Sequence, residues 1–406
     1  MLPSKSRPRP ARHLAALLLG LSLGAVGIAA AQSAMPTLPN PPAGISGGSS
    51  GLLQNSPLAP KPLSAGEAKS LRSIFTKSRP GSLRLEQCPV KGSCVAPDGE
   101  PDGLGSGFVI ESGKNGTLAL TAYHVVFGAK NLVAVTADKT RYPATVLAYD
   151  DAHDVALLKI NVPAGRTLAV LPIAADMPKV GQSALAIGNG GGEFLVSKTG
   201  RLTALDVAAS RASFPSGTLE LTAPLVPGDS GGPILNAQGE VMGIVSYISA
   251  RATPFGIVTQ SSYAVPVTKA SPLLSELRSG VKVDAPVIGL LSFGDIADEY
   301  FEPLGLGKLP GAIFTSVTKG SPAEQIGLKP IKPLTSDEYG TPTKLSGDVI
   351  TAINGVRIRN FDELLSAVRA RKVGDTIKLS VVRDGKAIPD LSLKLGPRTI
   401  TADEQP

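Results

Sequence analysis

The hexapeptide Gly228-Asp229-Ser230-Gly231-Gly232-Pro233 carries residue types suited to acyl transfer. A serine set among glycines lets the backbone crowd close to a substrate carbonyl. The amides of Gly228 and Ser230 can then aim at one oxygen and stabilise the negative charge developing on it. A serine alone is a weak nucleophile, so a base is required, and a group to orient that base. Leu120-Thr121-Ala122-Tyr123-His124-Val125-Val126 supplies an imidazole. His153-Asp154-Val155-Ala156-Leu157-Leu158-Lys159-Ile160 supplies a carboxylate at the start of an apolar strand. The roles expected are Ser230 as nucleophile, His124 as base, Asp154 as orienter, and Gly228 with Ser230 as oxyanion donors. His153 is expected to be a surface or loop residue with no chemical role. Asp150 and Asp151 lie close by, but only Asp154 leads directly into the apolar run.

The elements that must hold these residues read as short strands broken by turns. Ser106–Ile110, Thr117–Thr121, Leu132–Thr136, Ala144–Ala148 and Val155–Ile160 form a first set. Ala184–Ile187, Thr218–Thr222, Ile234–Leu235, Val241–Tyr247 and Ser262–Val265 form a second. Regular spacing with Gly, Asn and Asp between runs predicts β-barrels. His124 and Asp154 then fall in the first set and Ser230 in the second, which puts the site in a cleft between barrels. A further unit begins near Val283, with strands at Pro286–Phe293 and Ala312–Thr318, a short capped helix at Ser321–Leu328, and a strand entering a tight turn at Gly347–Gly355. Asn360 caps a helix with Glu363 three residues on, and Thr376–Arg383 is a closing strand. The fold class predicted is mainly β.

Composition narrows the function classes. Of 406 residues, 42% are hydrophobic, which permits a sizeable core. The net charge of +7 is partly removable, because Lys5, Arg7, Arg9 and Arg12 precede an uncharged run from Leu14 to Ile28. Without those four, 36 basic residues face 33 acidic ones, a net +3 that gives no case for nucleic acid. The basic start, apolar run and Ala29-Ala30-Ala31 read as a signal peptide over residues 1–31, with an uncleaved membrane anchor as the rival reading. Both place the body outside the cytoplasm, in the periplasm, cell envelope or extracellular space. Residues 32–66 are a Pro/Gly/Ser-rich flexible linker. Cys88 and Cys94 read as one small-loop disulfide in an exported chain, with two free thiols or a metal pair as alternatives. Zinc wants four ligands and the chain has three histidines, so no metal site and no cofactor are expected.

Residues 100–395 resemble the HtrA/DegP family of envelope serine proteases. The carrying residues are Gly105-Ser106-Gly107-Phe108-Val109-Ile110, His124-Val125-Val126, Asp154 through Lys159, and the Gly228–Pro233 hexapeptide. Val287-Ile288-Gly289-Leu290, Ser321-Pro322-Ala323 and Gly347–Gly355 carry the second half. The order His124, Asp154, Ser230 is that of two-barrel proteases. The resemblance implies a chymotrypsin-like double β-barrel over 67–275, a PDZ domain (a β-sandwich with two helices) over 283–395, and a tail over 396–406. It implies an ATP-independent exported endopeptidase that degrades misfolded or unfolded envelope proteins, working as a homo-oligomer, a trimer in the family. A PDZ-bearing chaperone with a rarely assembled triad, or a narrow regulatory protease, are the alternatives.

Alignment with trypsin-like proteases puts Pro224, Ile248 and Ala250 in the primary specificity pocket, where neutral side chains favour small or medium aliphatic substrates. In the PDZ unit, amides near Ile288, Gly289 and Leu290 would receive a peptide carboxylate, and Ile288, Leu290, Leu364, Leu365 and Val368 would pocket its apolar last side chain. Several features depart from the family, among them the long tether before the protease. Lys329–Ser346 intrudes as a linker before Gly347. Asp229 stands where many bacterial members carry Asn and trypsins carry Asp. In trypsins that Asp pairs with a freshly cut amino terminus, yet no Arg-Ile-Val-Gly-Gly-like activation sequence is present.

Overall fold

Val155–Ile160 shows why the strands close around two interiors. Val155 and Leu157 join one apolar cluster, whereas Ala156, Leu158 and Ile160 join another. Side chains alternate along a strand, so a nearly continuous apolar run is one buried on both faces. The computed structural model describes residues 61–88, 101, 103–207, 217–253, 256–292, 295–338 and 342–398. The leader, most of the linker, Cys94 and the tail beyond 398 lie outside those residues. Cys88 itself is disulfide-bonded.

Helix α1 (Ala65–Ser78) precedes β1 (Ser82–Cys88), β2 (Gly103–Gly113) and β3 (Gly116–Thr121). A single turn, α2 (Tyr123–Val126), leads to β4 (Asn131–Val135), β5 (Arg141–Asp150) and β6 (Val155–Ile160). These strands run β5-β4-β1-β2-β3-β6 and close where β6 pairs back onto β5. The second barrel comprises β7 (Ser183–Gly188), β8 (Val196–Val207), β9 (Thr218–Leu221), β10 (Pro233–Leu235), β11 (Val241–Thr253) and β12 (Gly256–Pro266). Its order is β10-β11-β12-β9-β8-β7. Phe108, Ile110, Leu157, Leu185, Ile187 and Ile244 form a cluster shared by both barrels, and Leu274 and Leu277 of α3 (Pro272–Arg278) join it. Each such side chain contributes about 1.5–3 kcal/mol on burial, which fixes the two walls of the cleft against one another.

The sequence missed β1 and β8, whose polar residues hide the strand pattern. Ser64 forms a capping box with Glu67, so helix α1 begins at Ala65. The Ser64 amide and hydroxyl, with Arg201, hold the Glu67 carboxyl down to about 2. Arg201 Nε also donates to the Lys61 carbonyl at 2.6 Å, pinning the end of the linker to β8.

The strand β13 (Lys282–Val283) adds in parallel to β5. The single strand expected over Pro286–Phe293 is instead split into β14 (Pro286–Val287) and β15 (Leu290–Leu291). Gly289, at φ +87°, breaks it. β16 (Ser316–Val317) pairs with β15, and Ser321 caps α4 (Pro322–Gln325). The Lys329–Ser346 insertion is not a plain linker but a hairpin of β17 (Lys332–Ser336) and β18 (Pro342–Ser346). β19 (Asp348–Ile353) lies between β20 (Val356–Arg357) and β21 (Thr376–Arg383). Asn360 caps α5 (Phe361–Arg369), its Oδ1 accepting from the Glu363 amide at 2.8 Å.

Candidate active site

The turn after β3 and the turn before β6 bring an imidazole onto a carboxylate. His124 sits in α2, and its Nδ1 lies 2.8 Å from Asp154 Oδ2 and 3.0 Å from Oδ1. The His124 amide donates to Oδ1 at 2.9 Å, and the Tyr123 amide to the Asp154 carbonyl at 3.2 Å. Asp154 adopts φ +56°, a left-handed conformation that aspartate tolerates better than most residues. Ser246 of β11 donates its hydroxyl to Asp154 Oδ2 at 2.5 Å. Burial works against charge on Asp154, but the charge and hydrogen bonds of His124 and the Ser246 hydroxyl outweigh it, and the carboxyl lies below its ordinary value. His153 turns elsewhere, to Asp150 at 2.7 Å, and that bond raises its pKa above the ordinary value.

The nucleophile segment faces this pair from the second barrel. Val226-Pro227-Gly228-Asp229 is a β-turn closed by the Asp229 amide on the Val226 carbonyl at 3.1 Å. Gly228 has φ +100°, and Pro-Gly at the central positions is the type II signature. Ser106 clamps the segment from β2: its hydroxyl donates to the Gly228 carbonyl at 2.7 Å and its amide to the Ser230 carbonyl at 2.8 Å. Asn189 donates to the same Ser106 hydroxyl, and Thr121 to the Ser106 carbonyl at 2.7 Å. Among the described residues, neither the Gly228 amide nor the Ser230 amide has an acceptor. Ser230 Oγ donates to the Ser246 carbonyl at 3.5 Å, and no hydrogen bond joins it to His124 among the described residues.

The remaining sequence-predicted residues fare unevenly. Pro224 is exposed, and Ile248 is half-buried against the second barrel's core. Thr259 Oγ1 donates to the Leu225 carbonyl at 2.7 Å, and Thr259 pairs with Ala250, so the backbone brings that wall together. The Ala250 side chain lies outside the description. Ile288, Leu290, Leu364 and Val368 pack in the core of the second unit, and Leu365 is half-buried. The amides of Ile288 and Gly289 have no acceptor among the described residues. A Cβ on Gly289 would fall 2.1 Å from Ser321 Cβ. Sequence reasoning missed the roles of Ser246, Ser106 and Asn189; only the glycines flanking Ser106 hinted at a crowded site.

Two six-stranded barrels with this cleft, followed by a sheet-and-helix unit, define a trypsin-like serine protease joined to a PDZ domain. The trypsin-like peptidase domain family matches residues 105–244, and the PDZ domain family matches residues 286–395. The chain is 30% identical over 345 residues to Protease Do-like 1, chloroplastic, of Arabidopsis thaliana, covering 84% of this chain and 74% of that protein. It is 30% identical over 297 residues to a Synechocystis serine protease named HhoA, covering 70% and 69%. A DegP-like periplasmic serine endoprotease of Marinomonas is 34% identical over 294 residues, and the chain spans 56% of that protein's length. The chain belongs to the HtrA/DegP family and is a serine endopeptidase.

Proposed function

We propose that Ser230, His124 and Asp154 are the catalytic triad of an exported, ATP-independent endopeptidase that degrades unfolded envelope proteins. The observation that carries this is the pairing of a doubly anchored imidazole with the amides of Gly228 and Ser230, which have no acceptor among the described residues. Rotation of Ser230 χ1 off the Ser246 carbonyl would bring Oγ to His124. His124 Nε2 takes the hydroxyl proton as Oγ attacks the peptide carbonyl, and the Gly228 and Ser230 amides receive the oxyanion. The imidazolium returns the proton to the leaving amine, and an acyl-enzyme remains. Water then attacks it, giving a proton to His124, which passes it back to Ser230. Pro224, Ile248 and Ala250 are assigned to the primary pocket and favour small or medium aliphatic residues.

The PDZ domain is assigned to capture apolar carboxyl termini. The free amides of Ile288 and Gly289 support this, as does β15, whose one described partner is β16. Export fits the relatives named as periplasmic, and a homo-oligomer belongs to the same reading. Among the described residues no helix is long and apolar enough to cross a membrane. The resting bond of Ser230 to Ser246 favours a second reading, a chaperone whose triad seldom assembles. Degradation of denatured casein separates the two. The protease reading expects cleavage without ATP, retained in EDTA and lost in Ser230→Ala. Absence of cleavage by the wild type, or its survival in Ser230→Ala, would overturn it.

A further inference from the structure

Lys198 belongs to no motif, yet its ammonium reaches Asp229 Oδ2 at 2.5 Å. Asp229 is 2% exposed, and among the described residues Lys198 is its one ion-pair partner. The same carboxylate accepts the Gly190 amide on Oδ1 and the Val226 amide on Oδ2, each at 2.9 Å. It therefore ties the segment after β7 to the turn that carries Gly228. The Gly191 amide adds a second tie, to the Pro227 carbonyl at 2.9 Å. The fit leaves no slack. A Cβ on Gly190 would lie 2.4 Å from both Asp229 Oδ2 and Lys198 Nζ. A Cβ on Gly188 would lie 2.4 Å from Asp229 Oδ1, and one on Gly228 2.5 Å from the Asn189 carbonyl.

We propose that Lys198 is a positioning residue for peptide hydrolysis: its ammonium, paired with buried Asp229, holds Gly228–Ser230 so that both amides stay free for the oxyanion. This rests on the reading of those amides as the oxyanion site. Asp229 lies between them in the chain, so any rotation that carries its carboxylate toward water moves the peptide units on either side. A buried carboxylate without a counter-ion is driven to make that rotation. In trypsins a cut amino terminus supplies the cation. Here β8 supplies it from within the chain, so the competent turn forms without proteolytic activation. An Asn at the position, as many bacterial members carry, needs no cation. Asp229 and Lys198 therefore act as a unit.

The test compares wild type, Lys198→Met and Lys198→Met/Asp229→Asn, full-length, on fluorescent denatured casein, with thermal unfolding to verify folding. Lys198→Met is expected to lose about 10²-fold in kcat, the scale of losing one oxyanion donor, with KM within about threefold. The double variant, with no buried charge to compensate, is expected to recover to within about tenfold of wild type. A Lys198→Met kcat within threefold of wild type overturns the proposal, and so does a folded double variant no faster than Lys198→Met. Should Lys198→Met not fold, the double variant decides alone: turnover within tenfold of wild type supports the pairing, and slower turnover refutes it. Failure of the oxyanion reading would look different, since the wild type itself would then not react with a fluorophosphonate at Ser230.

Discussion

Ser246→Ala removes one hydroxyl from the carboxylate that orients His124. Ser246 is 3% exposed, and its Oγ lies 2.5 Å from Asp154 Oδ2. A hydrogen bond to a charged group contributes about 1.5–3 kcal/mol. Its loss raises the Asp154 carboxyl back toward the ordinary carboxylate range. The sign follows from linkage. A folded pKa held below the unfolded value stabilises the protein above about pH 4 and loses that stabilisation as pH falls through the folded value. The variant should therefore be about 1.5–3 kcal/mol less stable at pH 7, with the deficit fading in acid below the ordinary carboxylate range. His124 keeps both carboxylate oxygens and its amide bond, so kcat should fall by less than about tenfold, a loss of under ~1.4 kcal/mol in barrier terms. Urea unfolding between pH 3 and 8, with casein turnover alongside, measures both. A deficit under about 0.5 kcal/mol at pH 7, below the range for a charged hydrogen bond, would mean that the Ser246 hydroxyl does not support the Asp154 charge. So would a deficit that does not change with pH.

Asp154→Asn should keep the fold and lose about 10⁴-fold in turnover, the scale of the same change in a chymotrypsin-type triad, through the wrong imidazole tautomer. His153→Ala should change turnover by less than about threefold, because a factor that small is only ~0.6 kcal/mol. Its raised pKa gives stability that is present below about pH 6.5 and lost as pH rises through the folded value, so the variant's thermal deficit should be largest in mild acid. Gly231→Ala places a Cβ 2.2 Å from the Ser106 carbonyl and Thr121 Oγ1 at φ +83°. Displacing Ser230 by about 1 Å should cost on the order of 10²-fold in kcat, while circular dichroism stays native. Peptides with free apolar carboxyl ends should bind residues 283–395 at about micromolar Kd, roughly −8 kcal/mol, and calorimetry with amidated twins should show much weaker binding; equal affinity removes the carboxylate assignment.

Much of this was readable where one local pattern carried the signal. Val155–Ile160 gave its strand outright because it is apolar on both faces. The caps at Ser321 and Asn360 gave their helices. β1 was hidden by Arg84, Glu86 and Gln87, although Glu86 is buried and paired to Arg84 at 2.8 Å. β8 was hidden by Ser197, Lys198, Thr199 and Arg201 around Gly200. The supports of the site were out of reach for a different reason. Ser246 meets Asp154 across 92 residues, and Lys198 meets Asp229 across 31, with no local spacing to announce either. The first contact forms only when the two barrels pack on each other, the second only when the second barrel closes on itself.

Mass mapping of a fluorophosphonate adduct decides whether Ser230 is the nucleophile and His124 its base. One adduct is expected, on Ser230, absent from Ser230→Ala and formed at least about 10³-fold more slowly in His124→Ala, since the unassisted hydroxyl is a poor nucleophile. Adduct formation on another serine, or an unchanged rate in His124→Ala, would contradict these roles.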